Sequence, residues 1–278
     1  MKIIKKIEKM QRWSDRIRAQ GKIIGFVPTM GYLHEGHLSL VKIARRSSDY
    51  VVVSIFVNPL QFGPKEDLGR YPRDFPRDKR LLKKLDVDVI FYPSVKEMYP
   101  QPSQTFVEVP ELSKNLCGQS RPGHFRGVCT VVAKLFNIVK PHIAVFGKKD
   151  FQQLTIIEQM VRDLNFDIRI VAGPTVREWD GLAMSSRNTY LSEVEHKNAT
   201  ILYQSLVMAK RLVKRGEKDP GVIIDKMKKM ITEKGGRIDY IKIVNRETLK
   251  DVKRVKKGDI IALAVFFGKT RLIDNISI

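Results

Sequence analysis

Short β-branched apolar runs alternate with longer amphipathic stretches over the first 175 residues. Residues 22–28, KIIGFVP, read as a buried strand, followed by a Gly-containing turn and a helix from about His34 to Ser47. YVVVSIFVNP, ended by Asn58-Pro59, reads as a second strand. A helix rich in leucine and charge, about 77–86, leads into DVIFYPS, a third strand. Periodicity over 128–139 predicts another helix, HIAVFG (142–147) a strand, 151–164 a helix and DIRIVAG (167–173) a further strand. This alternation implies βαβ units and an α/β fold, a Rossmann-like doubly wound parallel sheet, on which ligands lie at the C-terminal ends of the strands.

The pattern changes after about residue 175. Ser192 with Glu195 makes a capping box that opens a long helix to about Lys214, and Asp219-Pro220 forms an N-cap and first-position pair for a helix to about Lys234. Three strand-like runs close the chain, RIDYIKIV, DIIALAVFF and TRLIDNIS, the last two joined by the turn signal Gly268-Lys269. The expected organisation is a Rossmann-like domain over 1–175 and a small α+β domain over 176–278, with no internal repeat and no low-complexity linker.

Composition narrows the class. The chain has 278 residues and an apolar fraction of 43%, typical of a globular protein. No apolar run approaches the roughly 20 residues that span a bilayer. The N-terminal MKIIKKIEKMQRWSDR is basic but lacks the apolar core of a signal peptide, and no element is assigned there. The two cysteines, Cys117 and Cys129, form no CxxC, which fits a reducing, cytoplasmic setting. Lysine and arginine exceed the acids by 51 − 30 = 21. The excess is spread evenly, 29 − 17 = 12 up to residue 175 and 22 − 13 = 9 beyond it. A solvated Lys/Arg-rich surface of the kind heat-adapted proteins carry explains it first, a field for anionic substrates second and nucleic-acid binding third.

Four clusters carry chemistry. Pro28 to His37, PTMGYLHEGH, lies where the first strand turns into the first helix. His34 and His37 share a face of a first helical turn, where N–H groups and the helix dipole favour an anion, and Gly36 admits close approach. A zinc protease site is excluded, because HExxH needs an i, i+4 pair. Gly147-Lys148-Lys149-Asp150 follows another strand; a lysine there can neutralise triphosphate oxygens, and the aspartate can hold ribose hydroxyls or orient the lysine. Met184-Ser185-Ser186-Arg187 offers a mobile clamp for a pyrophosphate. Asn58 and Gln61 supply neutral amides suited to hydroxyls or a carboxylate. GxxxxGK[ST], GxGxxG, GxSxG and Cys/His metal spacings are all absent. An HxGH turn without a Walker loop suggests adenylyl transfer, with attack at the α-phosphate.

PTMGYLHEGH is similar to the HIGH-type motif of the nucleotidylyltransferase superfamily, shared with class I aminoacyl-tRNA synthetases, and MSSR stands where those proteins carry KMSKS. VSIFVNPLQFGPKEDLGRYPRD, RPGHFRGVCTVVAKLFNIVKP, FGKKDFQQL and GLAMSSRN follow in unbroken order over about residues 20 to 195, and together they resemble the pantothenate synthetase (pantoate–β-alanine ligase) family. The C-terminal domain matches only in general character. The resemblance implies an AMP-forming acid–amino-acid ligase that makes pantothenate from pantoate, β-alanine and ATP through pantoyl adenylate. It implies ATP contacts at Met30, Gly31, Tyr32, Leu33, His34, Glu35, Gly36 and His37, at Gly147, Lys148, Lys149 and Asp150, at Val176, and at Met184, Ser185, Ser186 and Arg187. His37 would be the proton donor, with His34 beside it and Lys149 as a preorganised cation. Gln61 and Gln153 would hold pantoate, Gln61 also facing β-alanine, with Asn58 beside them. It also implies a cytoplasmic homodimer and ATP used with Mg²⁺. No tightly bound organic cofactor, nucleic-acid partner or membrane is expected. Two departures stand out: Lys148 adds a charge, and Arg77 precedes Asp78 where relatives tend to have consecutive acids, so no protein ligand for Mg²⁺ is assigned. A small second domain closing as a lid would keep water from the adenylate.

Two other readings compete. Another HIGH-type nucleotidylyltransferase would want a basic pocket for a second phosphate in place of the amides at Asn58, Gln61 and Gln153. An RNA-binding module would want aromatics interleaved with the basic residues, and RLVKRG and KMKKM show none.

Overall fold

The β-branched runs up to residue 173 become strands of one parallel sheet. The computed structural model describes residues 1–278 except Lys65, Pro102 and Ser103. In chain order it holds β1 (Lys2–Ile4), α1 (Ile7–Ala19), β2 (Ile24–Thr29), α2 (Glu35–Arg46), β3 (Tyr50–Ile55), α3 (Phe75–Lys83), β4 (Val89–Phe91), α4 (Val95–Met98), α5 (Pro110–Ser113), α6 (Cys117–Ser120), α7 (His124–Val139), β5 (Ile143–Gly147), α8 (Phe151–Asp163) and β6 (Arg169–Gly173). There follow α9 (Glu193–Ala199), α10 (Ile201–Lys214), α11 (Pro220–Glu233), β7 (Arg237–Val244), β8 (Ile260–Phe267) and β9 (Thr270–Ser277).

The chain packs as two units: residues 1–110, 121–148 and 153–174 form the first, and 111–120, 149–152 and 175–278 the second. In the first, the strand order is β1-β4-β3-β2-β5-β6, every neighbouring pair parallel. The chain steps from β2 through β3 to β4, then crosses back to β5 and β6. The order therefore reverses between β2 and β5, and a crevice at such a reversal is where open α/β sheets bind ligands. On one face, Leu38, Val41 and Ala44 of α2 pack over Val27, Val51, Val53 and Val145, all buried.

Several elements here depart from the sequence pattern. β1 and α1 occupy the N-terminal stretch to which no element was assigned. β1 is a three-residue strand at the sheet's edge, too short and too lysine-rich to register as a period. In α1 the buried Met10, Trp13 and Ile17 do have helical spacing, diluted by basic residues between them. α7 begins at His124, earlier than 128, because Gly123 enters it with a φ of +79° and His124 and Phe125 are already buried.

The second unit holds a three-stranded antiparallel sheet, β7-β8-β9, with α10 and α11 packed on it through Leu202, Leu206, Ile223, Met227 and Ile231. The hairpin turn is as expected, with Phe267 pairing Thr270 across Gly268-Lys269. Asp219 caps α11 by accepting the Gly221 N–H at 2.7 Å. The capping box also forms: Ser192 Oγ accepts the Glu195 N–H, and Glu195 Oε2 accepts the Ser192 N–H at 2.8 Å. It opens α9, however, and not one helix to Lys214. The single long helix is corrected to two, divided at Thr200, whose Oγ1 donates to the Lys197 carbonyl at 2.8 Å and competes with the helical ladder.

Candidate active site

The site is built where β2 ends. Thr29 Oγ1 donates to the Ser54 carbonyl at 2.8 Å, tying β2 to β3, and accepts the Gly31 N–H at 3.1 Å. Gly31 and Tyr32 then take consecutive positive φ angles, +83° and +50°. A Cβ at Gly31 would lie 2.9 Å from Ile55 and 3.1 Å from an Asp78 carboxylate oxygen, so only glycine fits. Successive N–H groups in such a turn make an anion-binding concavity. Here the protein's own anion fills it: Asp78 Oδ2 accepts the Tyr32 N–H and Oδ1 the Leu33 N–H, both at 2.8 Å. Those two donors are therefore committed to Asp78. Asp78 is 1% exposed, and burial raises its pKa despite these two bonds and the Arg77 charge.

His34 is the N-cap of α2. Its Nδ1 accepts the Gly36 N–H at 3.1 Å, and His37 Nδ1 accepts the His34 N–H at 3.3 Å. Two imidazoles thus replace the hydroxyl and carboxylate of an ordinary capping box. The rings lie 4.1 Å apart, tilted by 46°. With Nδ1 accepting, each neutral ring carries its proton on Nε2. The pair offers two donors side by side at a helix N-terminus, where a developing negative charge is favoured.

Where β3 ends, Asn58 is buried and fully engaged. Its Nδ2 donates to Gln61 Oε1 and to the Gly127 carbonyl, each at 3.1 Å, while its Oδ1 accepts from Tyr99 Oη at 2.9 Å and from the Leu60 N–H at 3.3 Å. Gln61 is half-buried; Asn58 fixes its carbonyl end, and its Nε2 donates to Met30 Sδ at 3.3 Å. Burial raises the Tyr99 phenol well above its usual range, which keeps it a donor. Gly127 of α7 lies so near this turn that a Cβ there would sit 2.2 Å from the Leu60 carbonyl oxygen.

Three more residues brace the turn. Arg121 pairs with both oxygens of Glu66 at 2.7 Å and donates to His124 Nε2 at 3.0 Å. That bond leaves His124 Nδ1 as the donor to the Gln61 carbonyl, at 2.8 Å. Burial raises the Glu66 pKa, but the Arg121 hydrogen bonds and charge outweigh it, and the net shift is downward.

Gly147 ends β5, next to β2 in the sheet, the exposed Lys148 follows it, and the half-buried Gln153 lies in the first turn of α8. A cavity of about 470 Å³ lies beside the turn after β2, lined by Met30, Gly31, Tyr32, Phe56, Phe75 and Asp78 among others. The first unit thus gathers Met30 to His37, Asn58, Gln61, Gly147, Lys148 and Gln153 near the C-terminal ends of β3, β2 and β5.

The remaining predicted residues belong to the second unit. The Lys149 carbonyl accepts from Asn275 Nδ2 at 2.8 Å, and its ammonium has no hydrogen-bond or ion-pair partner among the described residues. Asp150 is exposed. Neighbouring Gln152 is committed to structure, accepting the Cys117 N–H and donating to the Leu112 and Asn115 carbonyls. Val176 and Met184 pair through the Met184 N–H and Val176 carbonyl at 3.0 Å. Ser185 Oγ accepts the Arg187 N–H at 3.3 Å, and Ser186 is buried. Arg177 holds this segment through Asp274, at 2.6 and 3.0 Å.

Sequence reasoning missed Asp78, Tyr99, Arg121, His124 and Gly127. None is among the ligand contacts expected from the sequence. Each acts on a residue that is, across a sequence distance no local pattern reveals.

The family model described as pantoate-beta-alanine ligase matches residues 2–277. The pantothenate synthetase of Thermosipho africanus is 59% identical over 278 residues, covering 100% of both chains. That of Thermotoga petrophila is 59% identical over 276 residues, covering 99% of each. Among solved structures, pantothenate synthetase from Thermus thermophilus superposes with a TM-score of 0.94 at 45% identity, covering 100% of this chain and 99% of that one. A pantoate-beta-alanine ligase from Francisella tularensis, complexed with beta-gamma ATP and beta-alanine, gives 0.83 at 37% identity, covering 100% and 97%.

Proposed function

The chain belongs to the pantoate-beta-alanine ligase family, which forms pantothenate with ATP, and from that premise we propose that its reaction runs through a protein-held pantoyl adenylate. A carboxylate oxygen of pantoate attacks the α-phosphorus of ATP, the Pα–O–Pβ bond breaks, and pyrophosphate leaves with the electron pair. The β-alanine amine then attacks the acyl carbon, the C–O bond breaks, AMP leaves, and the amine gives up a proton to form the amide.

The observation that carries this reading is the reciprocal His34–His37 cap at the end of β2. Attack of a carboxylate on a polyanion is opposed mainly by charge. Two Nε2–H donors fixed before the substrate arrives address that barrier, and one such donor is typically worth about 3 kcal/mol. His37 is the proton donor in this reading and His34 its partner on the phosphates. Gln61 holds pantoate and faces β-alanine, with Gln153 as the second amide. Asn58, whose amide atoms are all engaged, positions Gln61. On the family resemblance, Gly147 to Asp150, Val176 and Met184 to Arg187 complete the ATP contacts, and the unpaired Lys149 ammonium suits that role.

Among the described residues no group of three or more His, Cys, Asp or Glu could hold a metal ion, and both Asp78 oxygens accept backbone N–H groups. The described residues build no cage for Mg²⁺. The ion is read as accompanying the phosphates of ATP, and no step here depends on a protein ligand to it. A cytoplasmic homodimer is carried by the resemblance; the two buried, unpaired thiols fit a reducing compartment, and among the described residues no helix is long and apolar enough to cross a membrane.

Pantoate-dependent exchange of labelled pyrophosphate into ATP, without β-alanine, tests the reading. Exchange is expected with pantoate and absent without it; exchange that appears only when β-alanine is added would overturn the adenylate order.

A further inference from the structure

We infer that Asp78 and Arg77 are positioning residues for the reaction, a two-residue clamp that fixes the turn before α2 and thereby the orientation of His34 and His37. The inference rests on the proposed function, because it concerns how the same histidines are held.

Adjacent side chains at the start of α3 grip three backbone groups in a row. Asp78 accepts the Tyr32 and Leu33 N–H groups at 2.8 Å each, and Arg77 Nη1 donates to the Leu33 carbonyl at 2.8 Å. Leu33 is bonded directly to the N-cap His34, so a rotation of that peptide turns the imidazole with it. The turn would not keep its shape unaided. Tyr32 has a φ of +50°, a left-handed conformation that L side chains rarely adopt, and Gly31 beside it has +83°. Met30, Gly31 and Tyr32 of the turn also line the cavity. Arg77 also lies over the Tyr32 ring, 5.1 Å from its centroid.

The clamp is itself anchored. Asp74 caps α3 by accepting the Arg77 N–H at 3.0 Å, and Phe75 stacks on Tyr92 with centroids 4.2 Å apart and planes 12° apart. Packing alone would be better served by an apolar residue at position 78, because a carboxylate that is 1% exposed gives up its hydration. Its burial is explained by the two N–H groups it satisfies. There is a chemical consequence as well. An empty concavity of successive N–H groups would compete with the imidazoles for a phosphate oxygen. Filling it with an internal carboxylate leaves His34 and His37 as the donors for the nucleotide.

Asp78→Asn keeps the shape but not the acceptors: one amide oxygen can serve one N–H, and the amide nitrogen then faces the other N–H donor to donor. Pantoate-dependent ATP–pyrophosphate exchange is measured for the wild type, Asp78→Asn, Arg77→Met, and each combined with His37→Ala. Displacement of reacting groups by about 1 Å costs up to about 10²-fold in rate. The expected result is a kcat lower by about 10- to 10²-fold in Asp78→Asn and several-fold in Arg77→Met, with KM for ATP and pantoate within about threefold. His37→Ala should cost much less in either background than in the wild type, a coupling that loss of folded protein cannot imitate. Arg77→Met, at a half-exposed site, keeps the test open if Asp78→Asn does not fold. Unchanged kcat, a change confined to KM, or full additivity with His37→Ala would overturn the clamp. A wild type without exchange would overturn the proposed function, whereas an active wild type with unaffected variants would overturn this inference alone.

Discussion

Gly127→Ala sets two known effects against each other. In a helix interior, alanine is favoured over glycine by about 0.8–1 kcal/mol. Against that, the new Cβ would lie 2.2 Å from the Leu60 carbonyl oxygen, 2.5 Å from Leu60 C and 2.7 Å from Gln61 N. All three are backbone atoms, so no rotamer change relieves the contact, and α7 must part from the 59–61 turn by about 1 Å to reach normal separations. Overpacking of this kind costs about 1–3 kcal/mol, and a rigid neighbour places it toward the upper end. The clash wins, with a net loss of about 1–2 kcal/mol and a Tm lower by about 2–8 °C. Binding should suffer more than stability, because the Asn58 bond to the Gly127 carbonyl and its bond to Gln61 lie on the path of the shift. Pantoate Kd should rise by about tenfold or more while ATP Kd changes by less than about twofold. Calorimetric titration of each ligand, with thermal melting alongside, is the assay. An unchanged or higher Tm with wild-type pantoate affinity would refute the close approach of α7 and the role given to Asn58.

His34→Ala and His37→Ala should each slow adenylate formation by about 10²–10³-fold. Because the His37 ring accepts the His34 N–H and both rings cap the same turn, the double variant should be less impaired than the product of the singles, and rapid quench would show this; strict multiplicativity would separate the two roles. His142 concerns stability instead. Its Nδ1 accepts the Ile24 N–H at 3.0 Å, and burial, then the Arg18 charge, lower its pKa below 6.5. The unfolded chain therefore binds a proton near pH 6.5 that the folded chain takes up only at lower pH, so stability is complete above 6.5 and declines as pH falls below it. His142→Asn keeps an acceptor but cannot titrate; its urea midpoint should fall less between pH 7.5 and 5.5 than that of the wild type, and equal falls would be the contrary result.

The strand–helix alternation was legible because β2, β3, β5 and β6 combine a β-branched or apolar core with a polar or Gly/Pro boundary, a signal that survives any tertiary context. The histidine turn was legible for a related reason, since both imidazoles, the glycine and the strand–helix junction lie within one short stretch. β1 escaped because three edge residues carry no period. The break at Thr200 escaped because the hydroxyl that makes it is equally common inside helices. Asn58 shows a subtler limit. Its amide suggested substrate contact, yet the groups that occupy it, Gly127 and Tyr99, come from distant segments. Asp78 was visible only as an acid near a possible metal, whereas its partners are the backbone of a turn far earlier in the chain. The grouping of 111–120 and 149–152 with the C-terminal residues likewise depends on long-range pairs such as Asn115 with the Leu249 carbonyl and Asn275 with the Lys149 carbonyl.

In the proposed reaction the pantoate carboxylate becomes bonded to the α-phosphorus of ATP. Pantoate labelled with ¹⁸O in its carboxylate, turned over with ATP and β-alanine, tests it most directly by mass spectrometry of the products. AMP carrying one ¹⁸O atom, pantothenate retaining one, and unlabelled pyrophosphate are expected. Unlabelled AMP, or ADP accompanied by labelled inorganic phosphate, would contradict it.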